Sequence, residues 1–207
     1  MINVEVDTGV LTLTMHRDEK GNALTRLMLE EMDNALVQAE AKGLRGVILT
    51  GAGEVFSTGA DPDERRGDAQ IEAVWERVGA RMAHLPCLSI AAFNGMAAGR
   101  ALGLALACDI RLACPEAILS YPLLEDGGLP QLADLKRLSA LIGPARAKMM
   151  LLAVADVPAE EARVWGVVDR IVPRADLVDT ARGLMAAPRR AKSPDGLALL
   201  KRLVAQV

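Results

Sequence analysis

The chain has 207 residues, 51% of them apolar and 25% charged, with a formal net charge of −3. That length and composition suit one folded domain with a sizeable core, and without a basic stripe interleaved with aromatics a nucleic-acid partner is not expected. Cys87, Cys108 and Cys114 lie in apolar runs with no metal-type spacing, so buried thiols in a reducing cytoplasm are expected rather than a disulfide framework.

From Met1 to Asp7 the residues alternate apolar and polar, which is not the pattern of an export signal. Val10 to Met15 also alternates and reads as a strand, whereas Thr25 to Lys42 carries Leu27, Leu29, Met32, Leu36 and Val37 at helical spacing. After Gly43, Leu44 to Thr50 is a short apolar strand, so these segments form one βαβ crossover. A turn from Gly53 to Asp61 follows, then a charged stretch, a helix from Asp68 to His84 and a buried strand from Cys87 to Phe93. The second turn, Asn94 to Ala101, feeds a helix from Arg100 to Ala107. Strands at Ile110 to Ala113 and around Ile118 to Ser120 come next. The apolar run from Ala97 to Ala107 contains Arg100 and is too short to cross a bilayer, so no membrane partner is expected.

Past Pro130 the pattern is helical, with helices predicted over Gln131 to Ile142, Pro144 to Leu152 and Ala159 to Trp165. A last short strand is predicted over Val167 to Val172, then two amphipathic helices from Asp176 onward, broken at Pro188 and Pro194. Repeated βα alternation predicts an α/β fold, with a core over residues 1–175 and a helical tail over 176–207 of the same domain.

The two glycine-bearing turns carry the chemistry. Small residues at a strand-to-helix junction let a ligand approach the backbone, and free N–H groups at the helix start can bind an anionic oxygen. If Gly53 to Asp61 and Asn94 to Ala101 meet in space, they make an oxyanion hole. A dinucleotide site at Gly51-Ala52-Gly53 fails because the third glycine and the ribose-binding acid are not at the required spacing.

These turns, the run from Leu104 to Arg111 and the segment from Gly166 to Pro173 resemble, in order and spacing, the enoyl-CoA hydratase/isomerase or crotonase superfamily. The resemblance implies a crotonase-like ββα spiral core with C-terminal helices. It also implies an acyl-CoA thioester as substrate and partner, its carbonyl oxygen held by the N–H groups of Ala60 and Arg100. Such donors are each worth roughly 3–4 kcal/mol in the transition state. CoA is part of the substrate, and neither a separate cofactor nor a metal is implied. The nucleotide end of CoA is expected near Ala23, Ala60 and Asp61, which matches Asn22-Ala23-Leu24 to a family element. Arg17 and Lys20 are placed to meet its phosphates, although both also read as an exposed charged loop and Asp61 as a turn or cap residue. Gly59, Gly99, Tyr121 and Leu123 complete the expected substrate-binding set. Homotrimers or dimers of trimers are implied, with Val164-Trp165 and Leu197, Leu199, Leu200 and Leu203 as contact faces.

The pattern breaks where the proton is handled. The two carboxylates of a family hydratase match Gly103 and Leu123, and neither side chain can move a proton. A further family location, after the proline of Gly127-Gly128-Leu129-Pro130, holds Gln131, a candidate to hydrogen-bond a substrate polar group or a water, although its neutral amide is no base and it also reads as an early helix residue. Glu125 and Asp126 are the remaining carboxylates of that stretch and so the candidates for moving the proton, although both also read as solvated loop charges. Asp134 reads as a partner for the helix dipole, and His16 and His84 lack a catalytic partner. The expected function is an acyl-CoA-processing enzyme, with isomerisation better tolerated than hydration. An acyl-CoA-binding protein without catalysis is the alternative. A serine peptidase like the protease subunit of the Clp system is disfavoured, because Ser57, Ser89 and Ser120 lack triad contexts.

Overall fold

The structure is a computed structural model that describes residues 1–64, 69–123, 128–191 and 193–204. Strands β1 (Ile2–Asp7) and β2 (Val10–Met15) form a hairpin through Thr8 and Gly9, both left-handed at φ 46° and 81°, as a tight two-residue turn requires. Helix α1 (Arg26–Ala41) starts where the Thr25 side chain accepts the Met28 N–H at 3.3 Å, and it buries Met28, Leu29, Met32 and Leu36. Strand β3 (Gly46–Gly51) then pairs parallel to β2, completing the expected crossover.

From β3 onward one unit of two strands and a helix repeats. The units are β3, β4 (Val55–Ser57) and α2 (Ala69–His84); β5 (Leu88–Phe93), β6 (Met96–Ala98) and α3 (Gly99–Leu106); and β7 (Ile110–Ala113), β8 (Ile118–Ser120) and α4 (Leu132–Leu152). The first strand of each unit enters a six-stranded sheet, ordered β1-β2-β3-β5-β7-β10, and the second enters a four-stranded sheet, ordered β4-β6-β8-β9. Each unit therefore advances both sheets by one strand, which is the expected ββα spiral.

The central strands of the first sheet are buried on both faces and read as continuous apolar runs, as parallel strands do. Phe56 and Phe93 join the two sheets edge to face, with ring centroids 4.9 Å apart. All three cysteines are free and buried. Burial pushes the Cys87 thiol up to about 11 and the Cys108 thiol up to about 12, so neither is a nucleophile.

The C-terminal third is β9 (Val157–Pro158), α5 (Ala159–Trp165), β10 (Arg170–Ile171), α6 (Leu177–Leu184), α7 (Ala186–Arg190) and α8 (Pro194–Val204). Helix α4 is interrupted at Gly143, φ 76°, just before Pro144, where two helices were expected. Two expectations are corrected. The strand predicted over Val167 to Val172 is only Arg170–Ile171, because the Val167 and Val168 N–H groups close the end of α5 on the Ala162 carbonyl. Among its described residues the tail has three helices rather than two: Pro188 lies in the first turn of α7, where its missing N–H is not needed. Lys201 fastens α8 to the core, with Nζ 3.1 Å from the Cys87 carbonyl and 2.8 Å from the Asp109 carboxylate. Among the described residues, no helix is long and apolar enough to cross a membrane.

Candidate functional site

Strands β4, β6 and β8 run parallel, with Ser57 opposite Ala97 and Ala98 opposite Ser120. Their C-terminal ends are therefore level, and the segments leaving them lie side by side: Thr58 to Asp61, Gly99 and the start of α3, and Tyr121 to Leu123. The two glycine turns meet because their strands are neighbours in the second sheet.

The first turn is held from outside by residues 21–24. The Thr58 N–H donates to the Gly21 carbonyl, the Leu24 N–H to the Gly59 carbonyl at 2.8 Å, and the Asp61 N–H to the Leu24 carbonyl at 2.9 Å. Leu24 thus brackets Ala60 as a parallel bridge. Amides alternate in direction along extended chain, so the Ala60 N–H points away from Leu24, and it donates to no group among the described residues. Asn22, buried at φ 54°, fixes this arrangement: its amide donates to the Ala52 and Val55 carbonyls at 2.9 and 2.7 Å and accepts the Arg17 N–H at 2.8 Å. Asn94 does the same from the second turn, accepting the Gly51 N–H at 3.1 Å and donating to Gly53 at 3.0 Å. Sequence reasoning missed the bracing role of both asparagines. The available signal was an asparagine beside small residues at a tight turn.

Arg17 turns toward the first turn. Its guanidinium pairs with Asp61 and reaches the Ala23 carbonyl. Burial pushes the Asp61 carboxyl up, but the Arg17 hydrogen bond, the Asp63 N–H and the charges of Arg17 and Lys20 outweigh it and hold the group below the usual carboxylate range. Asp61 is accordingly a buried, paired turn residue and not an open ligand. Lys20 stays exposed, with no ion pair among the described residues, and Ala23 is buried with its N–H bonded to the Lys20 carbonyl.

The second turn enters α3 through Gly99, φ 54°. Gly59, φ 105°, packs directly on it: a Cβ at Gly59 would stand 3.1 Å from the Ala98 carbonyl oxygen and 3.5 Å from the Arg100 nitrogen. Lack of a side chain at both glycines is what lets the turns touch. The Arg100 N–H lies in the first turn of α3 and has no acceptor among the described residues, as expected for a helix N-terminus. The Arg100 side chain leaves the junction for α2, where Nη2 is 2.6 Å from Glu72 and the guanidinium lies over the Trp75 ring.

One turn further along α3, the bare face of Gly103 is covered by a carboxylate. A Cβ there would stand 2.7 Å from Asp134 Cγ and 3.0 Å from the Tyr121 hydroxyl oxygen. Asp134 comes from the first turn of α4 and is buried, with Oδ2 accepting the Tyr121 hydroxyl at 3.0 Å and Oδ1 accepting Arg137 at 3.2 Å. Burial pushes its carboxyl above the usual range, and the Tyr121 and Arg137 contacts offset only part of that. Asp134 was expected to serve only the α4 dipole, and this contact is the main thing the sequence did not reveal. Tyr121 is fully buried and its hydroxyl donates to Asp134.

Leu123 is half-buried, with Cδ2 3.8 Å from where a Gly99 Cβ would stand. Gln131 is the N-cap residue of α4, yet its side chain caps no N–H. Glu125 and Asp126 lie outside the described residues. Neither histidine bonds a serine or carboxylate among the described residues: His16 is exposed, and His84 Nδ1 is 2.7 Å from the Ala80 carbonyl. Ser57 donates to the Asn22 carbonyl and Ser89 to Asp109, which leaves no serine triad among the described residues.

A family model described as enoyl-CoA hydratase/isomerase matches residues 5–206. A probable enoyl-CoA hydratase of Mycobacterium tuberculosis is 35% identical over 179 residues, spanning 85% of this chain and 72% of the relative. The 1,2-epoxyphenylacetyl-CoA isomerase of Escherichia coli is 33% identical over 210 residues, spanning 96% of this chain and 79% of the relative. Among solved structures, an enoyl-CoA hydratase from Bacillus anthracis superposes with a TM-score of 0.89 at 33% identity, covering 100% of this chain and 84% of that one. With its repeated ββα units and a family match over nearly its whole length, the chain belongs to the enoyl-CoA hydratase/isomerase family.

Proposed function

We propose that the chain processes acyl-CoA thioesters by holding the thioester carbonyl oxygen between the backbone N–H groups of Ala60 and Arg100. The observation that carries this reading is the junction itself: two glycine turns in contact, each with an N–H that has no acceptor among the described residues. When a proton leaves a carbon next to the thioester, its electron pair moves onto the carbonyl oxygen, and fixed donors aimed at that oxygen stabilise the resulting enolate. Arg100 serves as well as a small residue would, because the donor is backbone and the side chain is held away by Glu72 and Trp75.

Moving a double bond needs one group that removes and returns a proton, whereas hydration also needs an activated water. With Gly103 and Leu123 in place of two carboxylates, isomerisation is the better-supported chemistry. The exposed Lys20, beside the first turn, is the cation best placed for the phosphates of CoA. Buried free thiols favour a cytoplasmic setting. The exposed apolar side chains of Val164, Leu199, Leu200 and Leu203 support assembly into a homotrimer or a dimer of trimers, which light scattering tests directly.

The test is turnover of 2-enoyl and 3-enoyl CoA thioesters by the purified chain, with conversion of the 3-enoyl to the conjugated 2-enoyl thioester as the expected reaction. Tight acyl-CoA binding with no turnover of either set would instead support a binding protein.

A further inference from the structure

Three polar groups meet over the bare Cα of Gly103: the Asp134 carboxylate, the Tyr121 hydroxyl and, behind the carboxylate, the Arg137 guanidinium. A purely structural role accounts poorly for this cluster. A buried carboxylate is costly unless fully paired, and here burial still outweighs its two partners, leaving the carboxyl easier to protonate than an ordinary aspartate. A carboxyl shifted upward in this way is better suited to carrying a proton than an ordinary aspartate.

Position supplies the rest. Arg100 and Gly103 are three residues apart on α3, so they share a helix face about 4.5 Å apart along the axis. At the start of the helix Gly99 faces both Gly59 and Leu123, and four residues on Gly103 faces Asp134 with Tyr121. A thioester oxygen held at Arg100 puts the carbons next to the carbonyl within two bonds of that anchor, over the same face. Gly103 has no side chain to fill the space beside them, and Asp134 fills it from the neighbouring helix.

We propose that Asp134, supported by the Tyr121 hydroxyl, is the proton-transferring carboxylate of this site, delivered from α4 into the space left open at Gly103, and that it acts on unsaturated acyl thioesters. The proposal rests on the thioester reading of the Ala60 and Arg100 donors. Asp134 takes a proton from the carbon between the carbonyl and a 3,4 double bond. The C–H electron pair becomes the 1,2 bond of a dienolate, with the negative charge on the carbonyl oxygen. That charge then flows back, the 2,3 bond forms, and the 3,4 pair collects the same proton from Asp134 at carbon 4. The carboxylate is regenerated and no oxidant or reductant is consumed. Tyr121 donates to Oδ2 and holds the carboxylate in place. It is a positioning residue, and Arg137 holds Oδ1 in the same way.

The experiment compares the full chain with Asp134→Asn, Asp134→Glu and Tyr121→Phe on two readouts. One is the binding of a saturated acyl-CoA by calorimetry. The other is exchange of the hydrogens beside its thioester in D2O, followed by mass spectrometry. The wild-type chain is expected to bind and exchange. Asp134→Asn is expected to bind within a few-fold of it while losing about 10²–10⁴-fold in exchange, the usual contribution of one acid–base group. Asp134→Glu should recover part of that loss, and Tyr121→Phe should slow exchange with binding intact. If Asp134→Asn does not fold, Gly103→Glu with Asp134→Gly moves the carboxylate from α4 to α3 in the same space and is expected to exchange. Exchange by Asp134→Asn at the wild-type rate overturns the proposal, as does a wild-type chain that binds acyl-CoA without exchanging. A wild-type chain that does not bind acyl-CoA overturns the thioester reading itself, and the assignment falls with it.

Discussion

The carboxyl group of Asp134 stands where a side chain on Gly103 would begin, with Cγ 2.7 Å from the position of a Cβ there. Gly103 lies inside α3, where replacing glycine with alanine usually stabilises by about 1 kcal/mol. Here the new methyl meets a carboxylate pinned by Tyr121 and Arg137 and buried on α4. Gly103→Ala is therefore expected to destabilise by about 1–3 kcal/mol, the usual cost of overpacking. Asp134→Gly in the same chain should relieve that, giving a coupling of about 0.5–3 kcal/mol in a urea double-mutant cycle. A Gly103→Ala variant more stable than wild type would show that the two residues do not compete for this space.

Because the second proposed donor is backbone, only a change that removes the N–H tests it. Arg100 occupies the first turn of α3, where proline is tolerated. Arg100→Ala loses the Glu72 and Trp75 contacts but keeps the donor, so it is the reference for Arg100→Pro. Relative to Arg100→Ala, Arg100→Pro is expected to lower kcat on an enoyl-CoA thioester by about 10²–10³-fold, the measured scale for one oxyanion donor. Equal rates for the two variants, with matching circular dichroism, would remove this N–H from the mechanism.

Most of the fold was legible because local patterning and global architecture agree. The period-two run in β2, the helical spacing of apolar residues in α1 and the apolar runs of β3, β5 and β7 each predict the element that forms. The two glycine turns were legible as turns, and the pairing of β4 with β6 brings them into contact. What stayed hidden depends on contacts across long sequence separations. Arg17 reads as an exposed loop charge and Asp61 as a turn or cap residue until the chain folds them together over 44 positions. The Asp134 contact needs α3 and α4 to pack before the space at Gly103 means anything, and read in sequence Gly103 is merely a missing carboxylate. The tail was misread for a local reason: a proline in a first turn looks like a break.

The Arg17–Asp61 pair predicts how the first turn responds to acid. Asp61 titrates below its ordinary value in the folded chain, because the Arg17 hydrogen bond and nearby charges outweigh burial. The unfolded chain therefore binds this proton first as pH falls. The pair's stabilisation is complete above the ordinary aspartate range, about pH 4, and is lost as pH drops through the lower folded value. Asp61→Asn should remove that part of the acid dependence and cost about 1.5–3 kcal/mol at neutral pH, the range for a hydrogen bond to a charged group. Urea midpoints measured from pH 3 to 7 check this. A pH dependence identical to wild type would mean that the pair forms equally in the unfolded chain.

Asn22 makes the sharpest prediction about how the first turn keeps its Ala60 N–H pointing away from Leu24. Its amide donates to two carbonyls, on Ala52 and Val55, while its own backbone sits at φ 54°, a conformation that asparagine tolerates and alanine resists. Asn22→Ala leaves the buried carbonyls short of a donor, at about 1–3 kcal/mol, and adds about 1 kcal/mol for holding alanine left-handed. Asn22→Asp should be worse still at neutral pH, because a carboxylate offers no N–H and would face both carbonyl oxygens. The loss should reach function as well as stability. Residues 21–24 supply every backbone bond that brackets Ala60 from outside, so weakening them should raise the KM for an acyl-CoA thioester and lower kcat together. Urea titration and steady-state kinetics on both variants measure the two effects. An Asn22→Asp chain as stable and active as wild type would show that the turn is held by its glycines alone.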